Sequence, residues 1–394
     1  MSNFVLFDDI DIRRHLLPLT YYRSIAGIRS GILTLKEKWE KFIDGKAGIL
    51  TEDYLMSLYP GNLETDLFIA SHFYPDKNLT EFIINNLQHG ETLVDAEGEI
   101  IAFKTQNNNG QIKLNELEKI IPTQTKIYPG KVEKLTRHYQ LVLNNALQIE
   151  KDIALLNLTP TDKKNYKSTG AHFLYLSEEK NYPEVFFDLT DGPVYIDHGV
   201  NILPFSFIKG PAAIMSNSVV KAGTRIYNGT TIGPETKVGG EIKNSLFLGY
   251  SNKGHDGYLG DSVIGEWCNL GAGTSNSNLK NNYSSVKMWN FARKDFEDTG
   301  LMFLGMIMGD HSKTAINTSV NTGTVIGVHA NIFTRDFPPK FIPSFNWGGN
   351  HFNHNYDLEK ALETAKTVYK RRKQIFSPEL EQIMWEVYNR SKQE

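Results

Sequence analysis

Three parts are predicted along the 394-residue chain: an α/β segment, a solenoid of short flat faces, and a helical tail. A period of six carries the solenoid. From Ile196, every sixth residue is Ile202, Ile208, Ile214, Val220, Ile226, Ile232 and Val238, all of them β-branched. Neither a helix nor a strand selects every sixth position alone. A coil whose faces each turn one aliphatic inward does. Gly210, Gly223, Gly229, Gly233 and Gly239 fall between the aliphatics, where corners are needed. Alternating strand-like and helix-like runs before residue 185, and helical spacing after Tyr356, carry the other two parts.

Residues 1–185 begin with apolar runs that read as strands, Phe4–Phe7, Leu67–Ala70 and Ile100–Phe103. Helical spacing appears over Ile28–Ile43 and in Val132, Leu135, Tyr139, Val142, Ala146 and Ile149. A polar connector follows, from Thr159 to Lys167. Residues 186–345 form the solenoid. Its period breaks at Asn244, resumes as Tyr258, Ile264 and Leu270, and returns as Val320, Ile326 and Ile332. The irregular segment from Ser275 to about Thr299 is expected to be a loop thrown out from one corner, and long loops tend to be functional. In the tail, 346–394, Leu358, Ala361, Leu362, Ala365, Val368 and Tyr369 share one helix face. Ser377 and Pro378 have the chemistry of an N-cap and first helical position, and a terminal helix would cap the open end of a sheet.

Composition narrows the function. With 42 basic and 45 acidic residues the net charge is −3, which gives no electrostatic footprint for nucleic acid or an anionic membrane. The single cysteine, Cys268, excludes a disulfide framework and a cysteine-based zinc cluster, and reads as a small buried hydrophobe. Leu301–Met308, the most apolar run, is far shorter than the ~20 residues of a membrane helix. The opening MSNFVLFDDIDIRR lacks the apolar core of a signal peptide, so a cytoplasmic protein is expected.

One constellation carries chemistry: Lys253-Gly-His-Asp-Gly-Tyr-Leu-Gly-Asp261, then Ile264-Gly265, then Asn269-Leu-Gly-Ala-Gly-Thr274. This stretch resembles the left-handed parallel β-helix of hexapeptide acyltransferases. In particular it is similar to the acetyltransferase part of the bifunctional GlmU-like family, which makes UDP-N-acetylglucosamine for cell-wall synthesis. From the histidine onward each element of the family pattern is present at its spacing, whereas Lys253 stands one residue nearer the histidine. The resemblance implies His255 as catalytic base. It also implies Tyr258, Asn269, Asn278, Arg225 and Lys243 as sugar-phosphate contacts. Of two candidates for a further lysine, Lys280 and Lys287, the reading favours Lys287. Backbone N–H groups of Gly271, Ala272 and Gly273 are expected near the thioester of acetyl-CoA, and His311 as a further cosubstrate contact. His198 and His329 read as ordinary structural histidines, and Lys370-Arg-Arg-Lys373 as a solvated helix face. Such relatives form three-fold assemblies, so a homotrimer is expected.

Leu6-Phe-Asp-Asp9, Leu17-Pro-Leu-Thr20 and Gly31-Ile-Leu-Thr-Leu-Lys-Glu-Lys-Trp39 resemble a divergent branch of sugar nucleotidyltransferases, which implies a Rossmann-like N-terminal domain using UTP or dTTP. Functional uridyltransferases carry a glycine-rich phosphate loop after the first strand; here Asp8-Asp9-Ile10-Asp11 follows instead. A substitute would need Arg13, Arg14, Arg23 or Arg29, with Asp8 or Asp9 holding Mg2+. Amino-sugar N-acetylation is the leading expectation, sugar-1-phosphate nucleotidyl transfer the alternative, and a non-catalytic sensing or assembly module the third.

Overall fold

The computed structural model describes residues 3–59, 65–105, 112–348 and 355–394. Contacts divide the chain into two units, one of 1–16, 22–29 and 33–137, the other of 17–21, 30–32 and 138–394.

The first unit is a mixed α/β fold. Its six-stranded sheet runs in the order Ala47–Leu50, Phe4–Phe7, Leu67–Ala70, Ile100–Lys104, Glu91–Val94, Gln124–Ile127. The first three strands are parallel, and Ile100–Lys104 lies antiparallel to both its neighbours. Phe4–Phe7 is buried at every position, as expected of a central strand covered on both faces. The helical spacing over Ile28–Ile43 yields a helix only at Leu35–Ile43. Thr34 and Glu37 form a capping box at its start, which fixes the N-terminus there.

The second unit is a parallel β-solenoid of about ten turns. Each turn supplies one strand to each of three faces, visited in chain order. Face one holds nine strands, from Leu174–Leu176 to Phe341–Ile342. Face two holds eight, from Asn201–Ile202 to Trp347–Gly348. Face three holds six, from Lys167–Thr169 to Tyr258–Gly260, and continues through Ser275–Asn276 beside Ser319–Val320. All eight residues of the first hexad series are buried in one core. Each fully buried Ile or Val adds about 1.5–3 kcal/mol relative to an exposed one, so the series contributes a large share of the unit's core.

The break in the period proves to be a change in corner length. Between Val238 on face two and Ile242 on face three only four residues pass, and five more reach Phe247 on face one. The inward series then runs Lys253, Leu259, Ile264, Leu270. Leu259, not Tyr258, therefore points inward, and Tyr258 stands on the outer side of face three, half-buried.

Helix Gln140–Leu156 packs on face one, with Asn145 Nδ2 donating to Gly229 O at 2.8 Å and to Thr231 Oγ1 at 3.0 Å. It starts later than the apolar spacing from Val132 suggests, because Glu133–Lys134 pairs as a short strand with Phe73–Tyr74. The tail forms helices Leu358–Arg371 and Pro378–Ser391, the second capped by Ser377 Oγ with Pro378 at its first turn. No described helix is long and apolar enough to cross a membrane.

Candidate active site

The shortened corner shapes a groove. Gly239 and Gly240 turn the chain in two residues less than the corners around them, which leaves a notch below the full corner Gly254–Gly257. The resulting cleft, about 320 Å3, is lined by Lys221, Ala222, Gly239, Gly240, Gly254, His255, Asp256, Ala272 and Gly273. His255 is exposed at its rim, and no described residue hydrogen-bonds its ring. Its corner needs glycine: Gly257 has φ +123°, and a Cβ there would meet Thr274 O at 2.2 Å.

The next corner carries the N-x-G-A-G-T residues. Gly271 N–H donates to Thr314 O at 3.1 Å and Gly273 N–H to Asp256 O at 3.0 Å, so both are used within the coil. Ala272 N–H has no acceptor among the described residues, and Ala272 lines the groove. Of the three N–H groups singled out from the sequence, Ala272 N–H is thus the one not used within the coil.

Face three brings several predicted residues onto one outer surface. Arg225 lies beside Glu241 and Glu241 beside Tyr258 in register. Arg225 and Tyr258 are thus two strand spacings apart, about 9.5 Å. Arg225 is not free: its Nη2 meets Glu241 Oε2 at 3.2 Å. Lys243, also exposed, holds its ammonium 5.9 Å from the centre of the Phe303 ring, above the root of the loop. Asn278 donates from Nδ2 to the Tyr258 hydroxyl at 3.1 Å and to Asp261, whose other carboxylate oxygen accepts from Asn244 Nδ2 at 2.7 Å. Burial pushes the Tyr258 phenol up to about 12, so it stays protonated and keeps its own O–H as a donor. Asp261 was not singled out from the sequence; the recurrence of polar corner residues at 244, 261 and 278, seventeen apart, is the signal that marks it.

Other expectations are corrected or separated from the groove. Asn269 lies on face two, where its Oδ1 accepts from Asn252 at 2.9 Å, and not on the Tyr258 surface. Lys287 sits on the loop's hairpin opposite Asp298 and does not line the groove. His311 is buried on the corner between faces one and two, in a column of rings formed with Trp267 and His329. His311 is therefore not a contact of this groove. Tyr369 of the tail stacks on Trp267 at 3.9 Å and covers that column. Cys268 is buried, and burial pushes its thiol up to about 12, which makes it no nucleophile.

Lys253 stands one residue nearer His255 than the family pattern has its lysine. It occupies an inward position between Val238 and Leu270, 1% exposed. Its ammonium donates to Gly239 O and His255 O, both at 3.1 Å, and to Gly257 O at 2.8 Å. A bare buried ammonium costs several kcal/mol. Three bonds from a charged donor, at about 1.5–3 kcal/mol each, offset that cost. Burial still lowers its pKa to about 8, which leaves it mostly charged at neutrality.

In the first unit the proposed metal ligands are committed elsewhere. Asp8 is 1% exposed and its Oδ2 meets Arg13 Nη1 at 2.8 Å and Thr51 Oγ1 at 2.6 Å. Its Oδ1 accepts from Ser24 Oγ at 2.8 Å and Ile25 N at 3.1 Å. Asp9 caps helix Ile10–His15 through Oδ1, 2.9 Å from the N–H groups of Asp11 and Ile12. Asp8 does not fit Mg2+ in this arrangement, whereas Asp9 keeps its Oδ2 outside the cap bonds. Among the described residues, the acidic trio Asp95, Glu97 and Glu99 is the one cluster with metal-ligand spacing, and the Lys134 ammonium sits within it at 2.5–2.9 Å.

Comparisons with known proteins agree with this two-part architecture. Residues 4–160 match the family model for sugar nucleotidyl transferases. The chain is 37% identical over 137 residues to the bifunctional protein GlmU of Methanocaldococcus jannaschii, covering 34% of this chain and 28% of that one. It is 33% identical over 146 residues to a bifunctional sugar-1-phosphate nucleotidylyltransferase/acetyltransferase of Sulfurisphaera tokodaii, covering 32% and 36%. Against GlmU of Nitrosospira multiformis it is 24% identical over 288 residues, covering 67% and 51%. A contiguous match of that extent includes the middle third of the chain, and with it His255. The matched stretches span between about a quarter and a half of these relatives' own length. The domain match and the relatives together support a GlmU-like family for the chain.

Proposed function

We propose that the solenoid is an acetyl-CoA-dependent N-acetyltransferase acting on glucosamine-1-phosphate or a related amino-sugar phosphate. One observation carries the reading: an exposed, unpaired imidazole at the rim of a glycine-walled groove, beside an uncommitted backbone N–H. Bound acetyl-CoA supplies an acyl carbon activated as a thioester. The chain supplies the rest. His255 takes the proton that the attacking amine must lose as the new C–N bond forms, and as the C–S bond breaks that proton passes to the departing sulfur, which leaves as the free thiol of CoA. Ala272 N–H faces the negative charge that develops on the acyl oxygen. Tyr258 and the Oδ1 of Asn278 offer hydrogen bonds to sugar hydroxyls, and Lys243 offers charge to the phosphate. Arg225 joins it only when a phosphate draws it away from Glu241.

Incubation with glucosamine-1-phosphate and acetyl-CoA is expected to release free thiol, and His255→Ala is expected to stop it. Unchanged turnover in the variant refutes the assignment. For assembly, a homotrimer is the reading: helix Gln140–Leu156 packs on strands Ala212–Ile214, Thr230–Ile232 and Leu246–Gly249 of face one, which favours faces two and three of each 44.7 kDa chain for neighbours. Light scattering tests it by the mass in solution.

The family match favours a second reading for the first unit, nucleotidyl transfer from UTP or dTTP to a sugar-1-phosphate. The committed Asp8 leaves that reading without one of its two expected metal ligands. Pyrophosphate release from UTP, Mg2+ and N-acetylglucosamine-1-phosphate is its test.

A further inference from the structure

Hydrophobic solenoid interiors have no ordinary use for a lysine, and this one lies directly behind the His255 groove. All three N–H bonds of the Lys253 ammonium end on main-chain oxygens, those of Gly239, His255 and Gly257. No carboxylate pairs with it among the described residues; Asp256, the charged group that acts on it, is itself exposed. In a trans peptide the N–H points opposite to the C=O. Drawing the Gly239 and His255 carbonyls inward therefore turns the N–H groups of Gly240 and Asp256 outward. Gly240 and Asp256 both line the groove, on successive turns, and neither N–H has an acceptor among the described residues. Two outward donors with a full positive charge behind them form a receptor for a small negative group.

We propose that Lys253 is a positioning residue: its buried ammonium fixes the corner peptides so that the Gly240 and Asp256 N–H groups, together with Ala272 N–H across the same groove, bind an anion, the negative oxygen of the acyl group in the reaction. The inference rests on the acyl-transfer reading only for the identity of that anion. Lys253 touches no substrate in this role. It acts through the Gly239–Gly240 and His255–Asp256 peptides, and it replaces an aliphatic that would pack equally well but leave both peptides free to turn over.

Lys253→Met keeps the apolar stem and removes the charge. Its kcat for acetyl transfer is expected to fall about 10- to 100-fold while KM for the amine stays within about twofold. Lys253→Arg, which restores a cation, is expected to recover part of the loss. A second readout does not depend on activity: crystals of the full chain soaked in sodium bromide. Wild type is expected to show anomalous density within hydrogen-bond distance of the Gly240 and Asp256 N–H groups, and Lys253→Met none. Bromide bound equally in both is an adventitious ion only and overturns the proposal, as does a variant with wild-type kcat. Should Lys253→Met fail to fold, wild-type crystals without bromide at those N–H groups overturn it alone. If wild type acetylates no amino sugar, the acyl-transfer reading fails, and the bromide contrast still decides the role of Lys253.

Discussion

The His255 corner and the Asp8–Arg13 cluster each gather polar groups around a buried charge and use them in opposite ways. At the corner, carbonyls are turned into the solenoid and satisfied there by Lys253, so N–H groups and an imidazole are left facing solvent. In the N-terminal unit every oxygen of Asp8 and most donors of Arg13 are spent on one another and on Thr51, Ser24, Ile25, Glu52 and Arg23 O. A ligand finds unspent hydrogen-bonding capacity only at the first. The lesson is that residue identity alone does not make a site: Asp8 has the right chemistry for a metal, and both of its oxygens are already spent on neighbours.

The largest expected effect breaks the comparison on the active side. His255→Ala should lower kcat for amino-sugar acetylation by about 10²–10⁴-fold, the usual contribution of a general base, with unfolding temperature unchanged because the ring is exposed and unbonded. A loss of stability in place of a loss of rate would make His255 a structural residue.

On the inert side the effect should be on folding. Arg13→Met leaves the buried Asp8 carboxylate without its cation, and removal of one partner from a buried pair costs about 3–5 kcal/mol. Chemical denaturation reads this directly. Mg2+ should not raise the stability of the wild-type protein through Asp8, and a magnesium-dependent shift abolished by Asp8→Asn would reverse the assignment.

A third contrast is one of pH. His329 is fully buried with His311 stacked at 4.5 Å and Lys313 nearby, and burial first, then those charges, holds its pKa well below the ordinary value of 6.5. The unfolded chain therefore binds a proton that the folded chain refuses. Stability should be level above pH about 6.5 and decline as pH falls below it, by about 1.4 kcal/mol for each unit of the shift. His329→Phe should flatten that decline in urea midpoints measured between pH 7 and 5; an unchanged slope would show that other groups cause it.

Much of this was legible in the sequence, and the failures share a cause. The hexad gave the inward series from Ile196 to Val238, and the histidine motif led to a real groove. The sequence places the break at Asn244, whereas the corner at Gly239 is already shortened, with four residues to Ile242. A six-residue step ending at Ile264 then puts Tyr258 inside, whereas the true step is five, from Leu259, and the break passes over the inward position of Lys253. The same shortened corner is what opens the groove, so the irregularity in the pattern marked the site. His311 went astray differently: the left-handed corner residues Tyr250, Trp267, His311, His329 and Phe345 form a ring column that depends on stacking between turns, and no short motif records it. Asp8 looked available because a sequence does not reveal that Arg13, five residues on, folds back to it.

The smallest effect sharpens the comparison within face three itself. The Arg225–Glu241 pair is about half exposed on the arginine side, and exposed pairs contribute ~0–1 kcal/mol. Glu241→Gln should therefore leave stability unchanged within error. It should also release the guanidinium, which in the wild type must exchange a carboxylate for a phosphate before it serves the substrate. KM for the sugar phosphate is expected to fall about two- to fivefold with kcat constant, because the gain is in uniform binding and not in the transition state alone. Arg225→Ala should raise KM by a similar factor. If Glu241→Gln leaves KM unmoved while Lys243→Ala raises it, the phosphate is held by Lys243 and the Arg225–Glu241 pair belongs, like Asp8 and Arg13, to the polar groups already spent within the fold.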